Sequence, residues 1–181
     1  MKFCNFVSLD IETTGLSAVQ NDVLEIAAVR VEGFTILEVF HTLVKPPRGI
    51  VPDAAAINGI TSEMVADAPE IYEVIPSLQE FISGQNLLGH GLSFDLKFLC
   101  RHGLDVTSEK RKFFDSKLIS QAFYKNTSSY GTPSDHSLES MCRYYHIERF
   151  DGHRALGDCI DATYLFRNLC EEKIDTSAAT L

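Results

Sequence analysis

The sequence predicts a single α/β layer fold built around a mixed sheet. Two observations carry that reading. Three segments rich in β-branched and aromatic residues come first, joined by short links, which gives an antiparallel meander. Short apolar strands then alternate with stretches of helical period. A chain of 181 residues with 45% hydrophobic and 23% charged residues is long enough and apolar enough for one domain with a sizeable core. The domain is expected over residues 1–172, with a frayed tail at 173–181.

The first strand runs from Phe6 into Asp10-Ile-Glu12 and ends at the turn Thr13-Thr-Gly15. Ser17–Asp22 is a polar connection, Val23–Val31 a second and largely buried strand, Gly33 a turn, and Phe34–Val44 a third strand. Lys45-Pro-Pro-Arg-Gly49 is a loop, since two prolines cannot continue a ladder. Asp53–Asn58 reads as a short helical turn. Ile71, Val74, Ile75, Leu78, Phe81 and Ile82 sit at helical spacing, with Pro76 either kinking that helix or lying in its first turn, and Gly84 as its stop. Asn86–His90 is a short buried strand, followed by a helix over Ser93–His102 that ends at Gly103. Phe113-Phe114 is the last strand and leads into a helix over Asp115–Tyr124. Lys125–Asp135 is polar, with Gly131 and Pro133, and reads as a flexible loop. Leu138, Met141, Cys142 and Tyr145 mark another helix. The final helix spans about Ala155 to Glu171.

Bulk properties narrow the function. The few apolar residues before Asp10 are too short for a signal-peptide core, and no run approaches membrane length, so a cytoplasmic protein without a membrane partner is expected. The five cysteines form no C-x-x-C pair and fall mostly at apolar helical spacings, which reads as reduced, buried thiols. A net charge of −9 argues against holding nucleic acid through a broad basic surface. It leaves room for a nuclease, because metal-binding carboxylates add negative charge and the bound ions reverse the local sign.

Five acids stand at or near the ends of predicted elements. Asp10 and Glu12 are two residues apart in a strand, so they leave the same face. Two carboxylates that close suit a divalent cation between them or one retained proton. On this stretch alone, a polar strand end before a turn explains them as well. Asp95 lies in the first turn of a helix that follows a buried strand, where an ordinary dipole partner also belongs. Asp115 opens the next helix and reads as its cap. Asp158 lies in the last helix beside Leu156, Cys159 and Ile160, where a buried carboxylate needs a partner. His153 precedes it by five residues. Five residues turn a helix by about 140°, so His153 and Asp158 meet at one site only if the histidine sits on the loop before the helix. Gly152 fits that placement.

Taken together and in this order, Leu9-Asp-Ile-Glu-Thr-Thr-Gly-Leu16, Leu24-Glu-Ile-Ala-Ala28, Asn58-Gly-Ile-Thr61, Phe94-Asp95, His136-Ser-Leu138 and His153-Arg-Ala-Leu-Gly-Asp158 resemble the DEDDh group of 3′→5′ exonucleases. This family includes the epsilon proofreading subunit of bacterial replicative polymerase and RNase T. The resemblance covers roughly Phe6 to Leu169. It implies a ribonuclease H-like fold with a five-stranded sheet in the order 3-2-1-4-5. It implies that Asp10, Glu12, Asp95 and Asp158 bind two Mg²⁺ or Mn²⁺ ions, with Asp10 bridging both. It implies that His153 is the general base, on the histidine rather than the tyrosine side of the family, since the tyrosine position is Arg154 here. Thr13, Gly15 and Leu16 match the turn that packs on the terminal nucleotide. Phe94 resembles an aromatic near the substrate strand, and Asp53 and Asn58 align with residues lining the nucleotide site. His90-Gly91 stands where relatives commonly have His-Asn, so the asparagine amide is missing.

The activity so implied is phosphodiester hydrolysis from the 3′ end of single-stranded DNA or RNA, releasing nucleoside 5′-monophosphates. DNA and a proofreading or repair role are favoured, with a DNA polymerase as a further partner. An RNA-trimming exoribonuclease and a catalytically weak polymerase-associated binding module are the alternatives. Basic residues are sparse. Lys97, Arg101 and Arg154 lie near the acids in sequence and are candidates for phosphates, and Lys110-Arg-Lys112 reads as a solvated face. A short single-stranded end, held by few phosphate contacts and stacking, fits this better than long duplex. The oligomeric state is left open.

Overall fold

The computed structural model describes residues 5–50, 52–124, 133 and 135–178, with side chains for all of these except 52–54 and 173–178. Five strands form one sheet in the order β3-β2-β1-β4-β5. They are β1 (Asn5–Thr13), β2 (Val23–Glu32), β3 (Thr35–Leu43), β4 (Asn86–Gly89) and β5 (Phe113–Asp115). The β1–β2 and β2–β3 pairs are antiparallel, and the β1–β4 and β4–β5 pairs are parallel. Both the strand order and the meander match the sequence reading.

The central strands read as near-continuous apolar runs because both of their faces are covered. On one face Val7, Leu9 and Ile11 of β1 pack on α3 (Ile71–Ile82) and α4 (Leu92–Arg101) through Val74, Leu78, Phe98 and Leu99. On the other, Phe6, Ala27, Val29 and Leu88 pack on α7 (Ala155–Ala178) through Ala155, Cys159 and Phe166. The two-residue period of β1 then decides where the acids go. Phe6, Ser8, Asp10 and Glu12 share the α7 side. Ser8 Oγ confirms the alignment by donating to the Cys159 carbonyl at 3.0 Å.

The remaining helices are α1 (Pro52–Asn58), α2 (Ser62–Val65), α5 (Ser116–Phe123) and α6 (Leu138–Tyr144). The one-turn α2, with Val65 buried, was not expected from the sequence. Glu70 and Glu73 form a capping box that starts α3. Pro76 falls in the second turn, not the first, and the helix continues through it. It lies on the exposed side together with Tyr72, whose carbonyl a residue with an N–H at position 76 would bond. The last helix runs beyond Glu171, to Ala178. The expected flexible loop at 125–135 falls almost wholly outside the described residues. Cys142 and Cys159 are free and buried as expected and Cys170 is half-buried, but Cys100 is exposed on α4, and Cys4 lies outside the described residues. Among the described residues no helix is long and apolar enough to cross a membrane.

Candidate active site

Asp10 and Glu12 leave the C-terminal end of β1 toward α7, and Asp158 comes down from the first turn of α7. One carboxylate oxygen from each lies within 4.8 Å of the others. Three such groups repel, and the site is partly shielded from water. Burial, then Asp158, pushes Glu12 up to about 8. Burial, followed by the charges of Asp95, Asp158, Glu12 and Glu25, raises Asp10 well above the usual carboxylate range. Asp158 is raised by burial although Arg149 pulls it down. A half-buried set of hard oxygen donors, all shifted upward by burial and with Asp10 and Glu12 raised further by their acidic neighbours, suits a divalent cation.

Asp95 arrives from the opposite layer. It is only 3% exposed, in the first turn of α4, and its Oδ1 accepts the Ile11 N–H at 3.2 Å. This bond hooks α4 to the end of β1 between the two β1 acids. Asp95 lies outside the tight group of three but lines the same open cleft, of about 520 Å³, as Asp10, Glu12 and Asp158. Burial raises its carboxyl as well. Leu16, His90, Phe94, Asp115, Lys117 and Leu118 complete much of the wall.

His153 lies in the turn before α7, two residues ahead of Ala155. It is exposed and has a left-handed φ of 65°. It stands close enough to Asp158 for its charge to act on that carboxyl. On either side of it the chain is pinned. Arg149 Nη2 donates to Asp158 Oδ1 at 2.5 Å and its Nε to Asp161 Oδ2 at 2.9 Å. Arg154 Nε and Nη2 donate to Glu25 at 3.0 and 2.7 Å. Arg154 is therefore spent inside the protein and is not the phosphate contact expected from sequence. Lys97 and Arg101 are exposed on α4.

The other sequence candidates divide. Leu16 stands 88% exposed at the cleft, and the half-buried Phe94 ring is 5.0 Å from Phe98 at the same cleft. Thr13 turns inward on its own loop, its Oγ1 donating to the Gly15 carbonyl at 2.7 Å. A Cβ at Gly15 would meet the Asn21 side chain at 2.7 Å, so this turn has no room for a larger residue. Asn58 is buried, accepts the Ile60 N–H at 3.1 Å and hydrogen-bonds Glu12 through its side chain. It holds a candidate ligand in place and does not line the cleft. Asp53 lies on α1, and its side chain is outside the described ones.

Gly91 adopts φ 87° and its N–H donates to Asp115 Oδ1 at 3.0 Å. His90 is held by Ser116 Oγ and the His136 carbonyl, both at 2.9 Å. Sequence reading missed Arg149, Glu25, Asp161 and Lys117. An acid within the apolar runs of β2 and α7 was a visible signal for Glu25 and Asp161. Nothing marked Arg149.

A mixed 3-2-1-4-5 sheet with acids gathered at the end of its first strand and on its last helix defines a ribonuclease H-like nuclease fold. A family model described as an exonuclease (RNase T) matches residues 7–166, and the chain belongs to that family. It is 32% identical over 170 residues to DNA polymerase III PolC-type of Bacillus subtilis, covering 92% of this chain and 11% of that protein. It is 31% identical over 167 residues to the DNA polymerase III epsilon subunit of Aquifex aeolicus, covering 92% of this chain and 81% of that one. The chain thus spans about a tenth of the length of the PolC-type relatives. Among solved structures, exonuclease X in complex with 5′ overhanging duplex DNA superposes with a TM-score of 0.71 at 26% identity, covering 92% of both chains. An exonuclease I structure, 18% identical and covering 93% of this chain and 41% of that one, shares the fold with a TM-score of 0.79.

Proposed function

We propose that this chain is a 3′→5′ exonuclease that hydrolyses the terminal phosphodiester of single-stranded DNA with two divalent cations, Mg²⁺ or Mn²⁺. The observation that carries this reading is the group of three carboxylates from β1 and α7, with Asp95 facing it across the cleft. Asp10, at the centre, would contact both ions, with Glu12, Asp95 and Asp158 completing the set. Ions held there would activate a water and neutralise the charge on the leaving 3′ oxygen. The chain's own part is to exclude bulk water, hold the terminal nucleotide and move a proton. Leu16 and Phe94 offer apolar surface to the last bases. His153 takes the proton from the attacking water, a task suited to an imidazole at neutral pH. The polymerase III relatives and the DNA-bound exonuclease X favour DNA over RNA and a role beside a DNA polymerase.

The test uses 5′-labelled single-stranded DNA and RNA oligonucleotides of one sequence, with Mn²⁺, Mg²⁺ or EDTA, and an Asp10→Asn variant beside the unaltered chain. A ladder that shortens from the 3′ end, vanishes in EDTA and is lost in the variant is expected, with DNA the faster substrate. Faster RNA degradation would make the protein an RNA-trimming enzyme. No shortening of either strand by folded protein would leave a binding module.

A further inference from the structure

We infer that Glu25 is a positioning residue for the general base: it fixes the turn that carries His153 and binds no metal itself. The inference rests on the assignment of His153 above.

Glu25 faces Glu12 directly across the β1–β2 pair, so its side chain leaves the sheet on the α7 side, next to the acidic cluster. An acid so placed would ordinarily be counted as a fifth ligand. Its partners exclude that. It is fully buried and accepts four hydrogen bonds. Oε1 receives His41 Nε2 at 2.6 Å and Arg154 Nη2 at 2.7 Å. Oε2 receives Arg154 Nε at 3.0 Å and the Ala155 N–H at 3.0 Å. A carboxylate has about four lone-pair sites, and all of them are taken by donors. Burial alone would raise this carboxyl, but Arg154 and His41 outweigh it and keep it below its usual range, in contrast to its neighbours Asp10 and Glu12.

Three of the four donors belong to the two residues that follow His153. The His153 ring makes no hydrogen bond among the described residues, and its backbone sits in the left-handed region that non-glycine residues rarely occupy. Its position is set by what holds its neighbours. On the far side Arg149 lies against Gly152, where a Cβ would be 2.6 Å from the guanidinium. On the near side everything converges on Glu25. The same carboxylate also receives the first N–H of α7, where a negative charge is favourable. A catalytic group displaced by about 1 Å loses on the order of 100-fold in rate, so the fourfold bond is worth its burial if it keeps the imidazole on the water.

The test is a double-mutant cycle on the full chain with Mn²⁺ and single-stranded DNA. Glu25→Gln replaces one acceptor oxygen by an NH₂ that meets the Arg154 donors. It should lower kcat by on the order of 10- to 100-fold with KM nearly unchanged. In a His153→Ala background the same change should cost less than about threefold, because coupled residues are not additive. Manganese affinity, measured by calorimetric titration, should stay within about threefold of the unaltered chain, since no ligand is touched. Arg154→Gln breaks the same contact from the loop side and serves if Glu25→Gln does not fold.

Full additivity of either variant with His153→Ala, or a manganese affinity that falls in step with kcat, would overturn the inference while leaving the exonuclease reading intact. A His153→Ala chain with unaltered kcat would remove the base assignment and this inference together.

Discussion

Arg149 occupies Asp158: the guanidinium lies 2.5 Å from a carboxylate that also belongs to the acidic cluster, and it reaches the fully buried Asp161 at 2.9 Å. Its charge is thus a built-in competitor for any cation that uses Asp158. Arg149→Gln removes that competitor and leaves the fully buried Asp161 with only the Phe150 N–H, at 3.2 Å, among the described residues. Breaking a buried pair from one side costs roughly 3–5 kcal/mol. The variant is expected to lose about that much stability in EDTA by denaturant unfolding. Calorimetric titration should show tighter manganese binding than in the unaltered chain.

The cluster makes the metal-free protein sensitive to base. Glu12 has an ordinary value of 4.5 and is pushed to about 8 in the folded chain. Between these limits the folded state keeps a proton that the unfolded state has lost, so stability falls as pH rises through this window. Asp10, Asp95 and Asp158 are shifted in the same direction. Glu25 is shifted the other way and matters only on the acid side of 4.5, while burial of His90 opposes the trend only below about 6.5. Thermal unfolding in EDTA should therefore give a lower Tm at pH 8 than at pH 6.5. Millimolar Mn²⁺ should raise Tm more at pH 8, where the ligands release their protons most readily.

Gly157 is a second sensitive point. Within a helix, Gly→Ala normally gains about 0.8–1.0 kcal/mol. Here a Cβ would lie 2.3 Å from the Asp151 carbonyl oxygen and 2.8 Å from its carbon, both of them backbone. The turn carrying His153 would have to move. Gly157→Ala should destabilise by roughly 1–3 kcal/mol, as overpacking does, and lower kcat, measured by unfolding and single-strand degradation side by side.

Lys117 is the basic residue that the cleft wall supplies. If it meets a backbone phosphate, Lys117→Ala should raise KM several-fold and leave kcat close to unaltered. The slope of log(kcat/KM) against log salt should become shallower by about 0.7, the value for one phosphate of a single strand. An unchanged slope would remove Lys117 from the substrate path.

The sheet and the β1 acids were legible because a two-residue period fixes faces without knowledge of any neighbour: Asp10 and Glu12 must share a side, and Phe6 and Ser8 show which. Asp158 was legible as an acid beside the apolar face of a helix. What escaped is pairing across the fold. Glu25 and Arg154 are 129 positions apart, and no local pattern joins them. For that reason Arg154 looked available to phosphate when it is committed to β2. Asn58 was expected to line the nucleotide site, but its side chain bonds Glu12 and is not part of the cleft wall. The short α2 carries too few residues for a period to show.

The Ser8–Cys159 hydrogen bond joins residues separated by 151 positions, and Asp10 meets Asp158 over nearly the same span. Domains emerging from a ribosome begin to fold from the N-terminal end, at about 5–20 residues per second. The meander of β1, β2 and β3 can pair long before α7 has been synthesised, but the acids on β1 then face open solvent with no partner. The three-carboxylate group therefore assembles only once α7 has docked on the sheet. A chain that lacks α7 lacks Asp158 and with it one of the three clustered carboxylates.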